Sequence, residues 1–405
     1  MINNDDTTSS PCEANSLENR GLKLALRARE VSPFRVMEIL ERAKRYEALG
    51  QDVVHMEIGE PDFPTPPEVL AAARRHLQSG SLGYTPAGGL PQLRQAIADF
   101  YQERYGVFIE PGRIFLTPGA SGALSLVLGL LIDPGDEVLI ADPGYPCYPN
   151  FLRLAGGLPR AIAVDAESAF NLSDTLIAKA WAPSTRGALL ASLSNPTGTV
   201  LPPDVLGNIV SEVEGRGGFV ISDEIYHGLS YGKATTTALA FSSDVFVINS
   251  FSKYFGMTGW RLGWGVVPSW AAEAAERLAQ NLFISAPTLS QYAAMASFSP
   301  ANLEELERRR VAFDERRLIL AKGLTDMGFK LAAAPEGAFY LYADVSAFGR
   351  TSEALVRDIL DKTGVALTPG TDFGEHRAES HVRVSYTAPI QRIEEALERL
   401  RRFLT

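Results

Sequence analysis

The chain has 405 residues, of which 46% are hydrophobic and 21% charged, and its formal net charge is −10. A globular chain of this length can bury a large core and is expected to divide into two domains. The acidic balance argues against binding to nucleic acid or to an anionic membrane surface, and no apolar run is long enough to span a membrane. The two cysteines, Cys12 and Cys147, cannot build a disulfide framework, so a reducing cytoplasm is the expected compartment.

The N-terminal third of the chain begins with a polar segment and continues with helical patterns. The first twenty residues are polar, with four acidic residues against one arginine, and they lack the basic start and apolar segment of a signal peptide, so we expect residues 1–30 to form a flexible tail. Apolar residues then recur at helical spacing over residues 34–49 and 90–105. Each pattern stops at a glycine, Gly50 or Gly106, which suits the position just past a helix end.

The middle of the chain alternates apolar runs with helical patterns. The runs predict β-strands at residues 113–117, 137–140, 188–192, 218–221, 245–248 and 263–267. Because these strands are apolar throughout, both faces of their sheet are expected to be covered by helices. The sequence therefore predicts an α/β fold with a largely parallel sheet.

A smaller α+β domain is predicted after this region. A long charged segment, residues 302–327, indicates a helix with a solvated face and not a binding patch. Short strand patterns follow it at residues 339–342, 365–367 and 381–385, with helical patterns that start at residue 352 and cover residues 389–404. We expect residues 63–300 to form the large cofactor-binding domain, and residues 31–62 and 301–405 to form the small domain.

Residues 250–263, Ser-Phe-Ser-Lys-Tyr-Phe-Gly-Met-Thr-Gly-Trp-Arg-Leu-Gly, carry the most informative motif. Just past an apolar strand pattern, the amine of Lys253 stands among the hydroxyls of Ser250 and Ser252 and the guanidinium of Arg261. Lysine side chains are usually solvated at the surface, but these groups together can hold a phosphorylated aldehyde. The amine forms a Schiff base, and the hydroxyls and the guanidinium bind the phosphate.

This run resembles the pyridoxal-phosphate (PLP) attachment segment of the class I and II aminotransferases. The resemblance extends from about residue 31 to the C-terminus, and it is strongest for the bacterial and archaeal branch that carries Tyr-Thr-Pro, here residues 84–86. It implies PLP fold type I, in which a large domain with a mostly parallel sheet joins a smaller α+β domain. It also implies that Lys253 holds pyridoxal 5′-phosphate.

A glycine-rich loop provides a candidate phosphate site. Ligands bind doubly wound sheets beyond the carboxyl ends of strands, and Gly119, Ala120 and Ser121 follow such an end and open an apolar helix predicted at residues 123–132. Backbone N–H groups at a helix start bind phosphate. Alone the loop is weak evidence, because many strand-to-helix turns contain glycine for steric reasons. It is not a GxGxxG motif and gives little support to nicotinamide binding.

Four more side chains fit the same cofactor. Asp223 ends a buried strand, where an unpaired carboxylate is costly, so it is either a helix N-cap or the partner of a pyridinium nitrogen. Tyr226 and Asn195 could each reach the ring 3′-oxygen, although Asn-Pro-Thr-Gly is also a turn signal. Tyr145 could stack on the ring, although an isolated aromatic residue is more often part of a core. Cys147 is interpreted as packing.

The family resemblance assigns the substrate side of the site. Arg383, in a strand pattern near the end of the chain, matches the arginine that binds the substrate carboxylate. Gly59 matches a glycine whose backbone approaches that carboxylate, and Asn195 is counted with them as substrate-binding. Tyr84 matches a tyrosine that reaches the phosphate from the neighbouring subunit, which implies a homodimer with composite sites.

Together these residues predict a PLP-dependent aminotransferase that exchanges an amino group between an amino acid and a 2-oxo acid. Lys253 is the expected general base and acid, and Asp223 and Tyr226 complete the catalytic set. Aspartate-selective relatives carry a second cation, which would fall at Ser121 or near Asn281 here, so a neutral or hydrophobic donor is expected. Aspartate aminotransferase and a PLP-dependent carbon–sulfur β-lyase remain alternatives.

Other classes of function find less support. A cofactor-binding regulatory module fused to a DNA-binding domain would need a helix-turn-helix pattern, which the acidic N-terminus lacks. The five histidines are scattered without metal-ligand spacing, so no metal site is predicted. No Gly-x-Ser-x-Gly motif occurs in a strand–turn–helix context.

Overall fold

The computed structural model describes residues 23–404. It has the predicted helices and strands with small shifts at their ends, and it adds elements that were not predicted, among them the strand Leu158–Ala163 and the helices Pro67–Ser79 and Pro203–Gly215. The α-helices are α1 (Leu26–Glu30), α2 (Arg35–Ala48), α3 (Pro67–Ser79), α4 (Pro91–Tyr105), α5 (Gly119–Leu131), α6 (Cys147–Ala155), α7 (Asp174–Ala180), α8 (Pro203–Gly215), α9 (Ala272–Leu282), α10 (Thr288–Ala294), α11 (Pro300–Asp326), α12 (Ser352–Thr363) and α13 (Ile390–Leu404). The β-strands are β1 (Val54–His55), β2 (Ile114–Thr117), β3 (Glu137–Asp142), β4 (Leu158–Ala163), β5 (Thr185–Ala191), β6 (Phe219–Asp223), β7 (Phe246–Ser250), β8 (Gly263–Val266), β9 (Tyr340–Asp344), β10 (Val365–Ala366), β11 (Thr368–Pro369) and β12 (His381–Ser385).

A seven-stranded sheet in the order β2-β8-β7-β6-β5-β3-β4 forms the centre of the fold. Strand β8 is antiparallel to both of its neighbours, and the other strand pairs are parallel. Every residue of β2, β7 and β8 is buried, whereas the edge strand β4 is largely exposed. The predicted α/β fold with a mostly parallel sheet is confirmed, and apolar strands between two helix layers provide the largest hydrophobic contribution to its stability.

The strand order creates a crevice beyond the carboxyl ends of the parallel strands. Strand β3 pairs with β4 on one side and with β5 on the other, so the chain reverses its direction of winding there. Ligands bind doubly wound sheets in the crevice beyond the carboxyl ends of the strands at such a point. Tyr145 follows β3, Asn195 follows β5, and Asp223 and Ser250 end β6 and β7. The fold therefore brings these candidate residues to the same edge.

The C-terminal part of the chain forms two smaller sheets. Strands β11, β12 and β9 make an antiparallel sheet in that order, with Arg383 opposite Tyr342 in the central strand β12. Strand β1 pairs in parallel with β10, through Val54 and Val365, and so joins the segment before residue 60 to the C-terminal part. This pairing places Gly59 and Arg383 on the same side of the molecule as the crevice.

Two details concern the predicted elements. Helix α5 begins at Gly119 and not at Ala123, so the predicted phosphate loop is the first turn of the helix. Of the predicted tail, residues 26–30 are helical, whereas residues 1–22, with Cys12, lie outside the described residues.

Within residues 23–404, no helix combines the length and apolarity required for membrane crossing. The same residues contain no group of three or more His, Cys, Asp or Glu side chains that could hold a metal ion.

Candidate active site

Lys253 lies in the turn after β7, and its amine points to the segment after β1. Its Nζ donates a hydrogen bond to the carbonyl oxygen of Gly59 at 2.8 Å. Burial lowers the pKa of the Lys253 amine to about 8, and the nearby Glu60 carboxylate offsets part of that effect. An amine with this pKa is present in both protonation states near neutral pH, which suits a group that acts as nucleophile and proton carrier.

Arg261 and the start of α5 form a candidate anion site. Arg261 has a positive φ of 52°, and its Nη2 would lie 2.6 Å from a methyl group placed on Gly119. A methyl group on Gly263 would likewise lie 2.7 Å from the backbone nitrogen of Ala120. Glycines at both positions therefore leave the guanidinium and the first N–H groups of the helix open to one anion.

The hydroxyl of Ser250 bonds within the turn that carries Lys253. Ser250 Oγ donates to the carbonyl oxygen of Leu262 at 3.3 Å and accepts from the backbone N–H of Ser252 at 3.0 Å. Both serines are buried, and their bonds fold the turn back toward Arg261. Ser121 is exposed on the first turn of α5, with its carbonyl accepting from Ser125. Ser250 therefore stabilises the turn that carries Lys253, through its hydrogen bonds with Leu262 and Ser252.

Asp223 is a buried carboxylate at the end of β6. Its Oδ2 accepts from the hydroxyl of Tyr148 at 2.7 Å, and its Oδ1 accepts from the backbone N–H of Ile225 at 3.1 Å. Burial raises the pKa of Asp223 to about 6, with the two hydrogen bonds acting in the opposite direction. No Lys, Arg or His within residues 23–404 forms an ion pair with Asp223, so a cationic ligand would relieve the cost of its burial.

Arg383 is a buried cation with neutral partners. Its Nη1 donates to Asn195 Oδ1 at 2.9 Å, and its Nη2 donates to the carbonyl oxygen of Glu57 and to Thr368 Oγ1. Nε has no hydrogen-bond partner among the described residues, and the side chain has no ion pair with a carboxylate there. A planar guanidinium in this state is suited to receive a carboxylate from a ligand.

Two aromatic rings fix the plane of Arg383. Its Cζ lies 4.4 Å from the ring centroid of Tyr340 and 4.7 Å from that of Phe373. The Tyr340 hydroxyl pairs with the hydroxyl of Tyr226 at 2.9 Å. A methyl group on Gly59 would lie 1.7 Å from the Tyr340 hydroxyl, so only glycine lets the backbone pass at this point. Tyr226, Gly59 and Arg383 therefore form one connected wall.

Comparisons with known proteins identify the family. Residues 51–400 match the family described as aminotransferase class I and II. The chain is 41% identical to the valine–pyruvate aminotransferase of Mycobacterium tuberculosis over 380 residues, which are 93% of this chain and 97% of that protein. It is 34% identical to the aspartate aminotransferase of Geobacillus stearothermophilus, over 95% and 99% of the two chains.

The chain belongs to the class I and II aminotransferases. Solved structures agree: an aminotransferase from Mycobacterium tuberculosis matches with a TM-score of 0.92 at 41% identity, covering 95% of this chain and 99% of that one. The aspartate aminotransferase of Thermus thermophilus with maleate matches with a TM-score of 0.90 at 32% identity, covering 94% and 99%. This aminotransferase transfers an amino group between an amino acid and a 2-oxo acid, and its family uses PLP.

Two residues that the resemblance assigned lie away from these contacts in the aminotransferase protomer. Tyr84 is 83% exposed. Asn281 is exposed and donates to the carbonyl oxygen of Arg277 within its own helix at 2.8 Å. The apolar side chains of Leu282 and Ile284 beside it are also exposed. Tyr145 lies closer to the site, with its ring edge-on to Tyr148 at 5.2 Å.

Sequence reasoning missed several residues of the aminotransferase site. Tyr148 lies in the first turn of α6, three residues after Tyr145, and the two closely spaced tyrosines were the available signal for a second aromatic residue at the site. Tyr340 lies in the predicted strand 339–342, and that pattern gave no sign of a role in the site. Phe373 and the Glu57 carbonyl carried no signal, because they reach Arg383 only through the packing of distant segments.

Proposed function

We propose that this chain is a PLP-dependent aminotransferase for neutral or hydrophobic amino acids and that it acts as a homodimer. The observation that carries the proposal is the pair formed by Lys253 and Arg383. One is an amine whose pKa is lowered to about 8, and the other is a buried guanidinium without a carboxylate partner among residues 23–404. Gly59 and Tyr340 connect them, because Gly59 accepts from Lys253 and touches Tyr340.

The residues present fit PLP. Gly119 and Arg261 leave room and positive charge for its phosphate, with Ala120, Ser121, Ser250 and Ser252 around them. Asp223 offers a buried carboxylate that lacks a cation, which suits a protonated pyridine nitrogen. The amine of Lys253 suits its aldehyde. Tyr145, Asn195 and Tyr226 would contribute to its binding from the crevice between β3 and β5 and from the turn after β6.

The chain's own residues divide the work of the reaction. When bound, PLP supplies an electron sink for the substrate α-carbon. Arg383 binds the substrate carboxylate and thereby directs the α-hydrogen toward the side from which Lys253 approaches. Lys253 Nζ takes up that proton as general base and, as general acid, would pass it to the carbon atom of the cofactor's aldehyde group and not back to the α-carbon, which its pKa of about 8 permits near neutral pH. Asp223 stays ionised when a cation lies against it.

The substrate side chain is proposed to be neutral because neither position expected to hold a second cation carries a lysine or an arginine. Ser121 and Asn281 occupy the positions where aspartate-selective relatives were expected to carry a lysine or an arginine. The side chains next to Asn281, Leu282 and Ile284, are apolar and exposed. The relative that is 41% identical is a valine–pyruvate aminotransferase, whereas the aspartate aminotransferase of Geobacillus stearothermophilus is 34% identical.

The homodimer is proposed from the exposed aromatic and apolar side chains of the protomer. Tyr84, Ile284 and Leu282 are each more than half exposed. A second copy that covers them would remove apolar area from water and carry Tyr84 to the partner's phosphate site. From the sequence we also propose a division into a large domain (63–300) and a small domain (31–62 and 301–405), and a cytoplasmic location.

A donor panel tests the substrate proposal. The first half-reaction of the PLP-loaded enzyme with valine, alanine, phenylalanine and aspartate can be followed through the visible spectrum of the cofactor. We expect the best neutral donor to react about tenfold faster than aspartate, or more, because a buried carboxylate without a partner is costly. Aspartate reacting fastest would refute the proposal. In a Ser121→Lys variant, the rate with aspartate should rise relative to that with valine.

A further inference from the structure

We propose that Asp142 is a positioning residue for substrate binding: its carboxylate holds the loop that presses Phe373 against Arg383. The proposal rests on the proposed role of Arg383 as the binding group for the substrate carboxylate. Asp142 is the last residue of β3, an inner strand of the central sheet, whereas Arg383 lies in β12 of the C-terminal sheet. The loop between them, residues 370–376, is called the latch loop below.

The Asp142 carboxylate binds the latch loop through its backbone. The N–H of Glu375 lies 3.1 Å from both carboxylate oxygens, and the N–H of His376 lies 3.1 Å from Oδ2. Hydrogen bonds to an ionised acceptor are stronger than those between neutral groups. Within residues 23–404, the carboxylate has no ion pair that would compete for these bonds. Asp142 thus serves as an anchor for main-chain donors.

The sequence of the latch loop is adapted to this anchor. A methyl group on Gly374 would lie 1.8 Å from Asp142 Oδ1, so only glycine allows the carboxylate to approach the following N–H groups. A second bond from the same region runs from the N–H of Gly144 to the carbonyl oxygen of Phe373 at 2.8 Å. The segment at the end of β3 therefore forms hydrogen bonds with the loop on both sides of Gly374.

Hydrogen bonds matter here because packing holds only part of the latch loop. A cavity of about 690 Å³ borders it and is lined by Tyr145, Arg153, Phe373 and Glu375, among others. On the opposite side, Phe373 is buried, with its ring 4.7 Å from Arg383 Cζ. If the loop moved toward the cavity, one of the two rings that fix the guanidinium would recede. Water could then reach Arg383 and weaken its pairing with a carboxylate.

The Asp142→Asn variant tests the inference in the PLP-loaded, full-length enzyme. Asparagine keeps one acceptor oxygen but presents an NH₂ group to N–H donors. We expect KM for the best amino donor to rise about fivefold, the factor for roughly one hydrogen bond, with kcat within about twofold. Hydrogen exchange of the peptide that covers residues 373–377 should become faster. Asp136→Asn is the matched control, since Asp136 accepts from the N–H of Asp133 at the other end of β3.

A double-mutant cycle with Phe373→Leu identifies the route. If Asp142 acts through Phe373, Asp142→Asn should not raise KM further in the Phe373→Leu background. Full additivity would overturn the inference, and so would faster exchange of the loop with an unchanged KM, or equal losses in kcat and kcat/KM. If Asp142→Asn does not fold, Gly374→Ala replaces it in the experiment. Its added methyl group displaces the Asp142 carboxylate from the latch loop, so the same changes in KM and hydrogen exchange are expected.

The Arg383→Lys variant separates this inference from the proposed function. If Arg383→Lys leaves KM unchanged, the carboxylate role of Arg383 is wrong and the inference falls with it. If Arg383→Lys raises KM while Asp142→Asn does not, only the role of Asp142 is wrong. A KM increase in both variants, together with an unaffected Asp136→Asn control, supports both statements.

Discussion

The two ends of the site are built in different ways. The cofactor end, defined by Asp223, Lys253 and Arg261, comes from one stretch of chain in which charged side chains follow the ends of neighbouring strands. The carboxylate end, defined by Arg383 and its contacts, is assembled from segments near residues 57, 195, 340 and 373. The first end follows from local sequence order in a parallel sheet, whereas the second exists only after distant segments have packed.

The two ends also handle charge differently. At the cofactor end, burial brings the pKa of Asp223 to about 6 and that of Lys253 to about 8, so both groups can change protonation near neutral pH. At the carboxylate end, Arg383 keeps a permanent charge that neutral acceptors and two aromatic rings hold in place. Substitutions at the cofactor end should therefore change kcat and its pH dependence. Those at the carboxylate end should change KM.

The largest effect is expected for Lys253→Ala. Loss of the amine removes both the group that holds the cofactor and the proton carrier, so multiple-turnover transamination should fall by a factor on the order of 10⁴ or more. The measurement is steady-state transamination of the best donor with a 2-oxo acid acceptor. Lys253→Arg keeps the charge without a usable base and should be equally inactive. Retained multiple turnovers in Lys253→Ala would remove the assignment of the cofactor end.

The next effect in size concerns Arg383→Lys. An ammonium group cannot reproduce the planar fork that bonds Asn195 and the Glu57 carbonyl, so kcat/KM should fall about 100-fold, mainly through KM. The rate with a primary amine that lacks a carboxylate should not change, which serves as an internal control. An equal loss for the amine would show that Arg383 supports the fold and does not recognise the carboxylate.

Tyr148→Phe should have an intermediate effect, about tenfold at pH 6. Its hydroxyl donates to Asp223, and loss of that bond should raise the pKa of Asp223 further above its ordinary range. Because Asp223 acts when ionised, activity and PLP affinity should fall most at low pH and recover as the pH rises. The measurements are the pH profile of kcat and the Kd for PLP between pH 5.5 and 8.5.

A second tyrosine–aspartate pair provides the control for Tyr148→Phe. Tyr46 donates to Asp361 at 2.7 Å on a partly exposed surface formed by α2 and α12. Tyr46→Phe removes the same kind of bond and should leave the pH profile unchanged. If Tyr148→Phe shifts the profile no more than Tyr46→Phe does, Tyr148 is a packing residue and Asp223 is positioned by β6 alone.

The same contrast explains what could be predicted from the sequence. The apolar strands and the run around Lys253 are local patterns, and they led to the sheet, to Asp223 and to Arg261. The partners of these side chains were not predicted: Asp223 accepts from Tyr148, whereas the neighbouring carboxylate of Glu224 accepts from Thr237 and Ala238. That difference depends on the direction in which each side chain leaves β6. Phe373 was beyond prediction because its contact with Arg383 joins a loop to a strand.

The smallest effect is expected for His55→Gln, which tests the support of the carboxylate end. His55 Nδ1 pairs with Glu57 Oε1 at 2.7 Å, and the carbonyl of Glu57 accepts from Arg383. The hydrogen bond with Glu57 raises the pKa of His55 above its ordinary value. The protonated histidine therefore stabilises the fold below pH 6.5, and this contribution is lost as the pH rises through the raised pKa.

For His55→Gln, thermal unfolding should show a loss of about 0.5–1 kcal/mol at pH 6 and a smaller one at pH 8.5, because the ion pair is partly exposed. KM for the amino donor should rise less than about twofold at pH 6, since the Glu57 backbone is also held by Thr368. His76→Gln is the control, because His76 stacks on Tyr292 and has no carboxylate partner within residues 23–404. A stability loss that grows with pH would contradict the protonated His55–Glu57 pair.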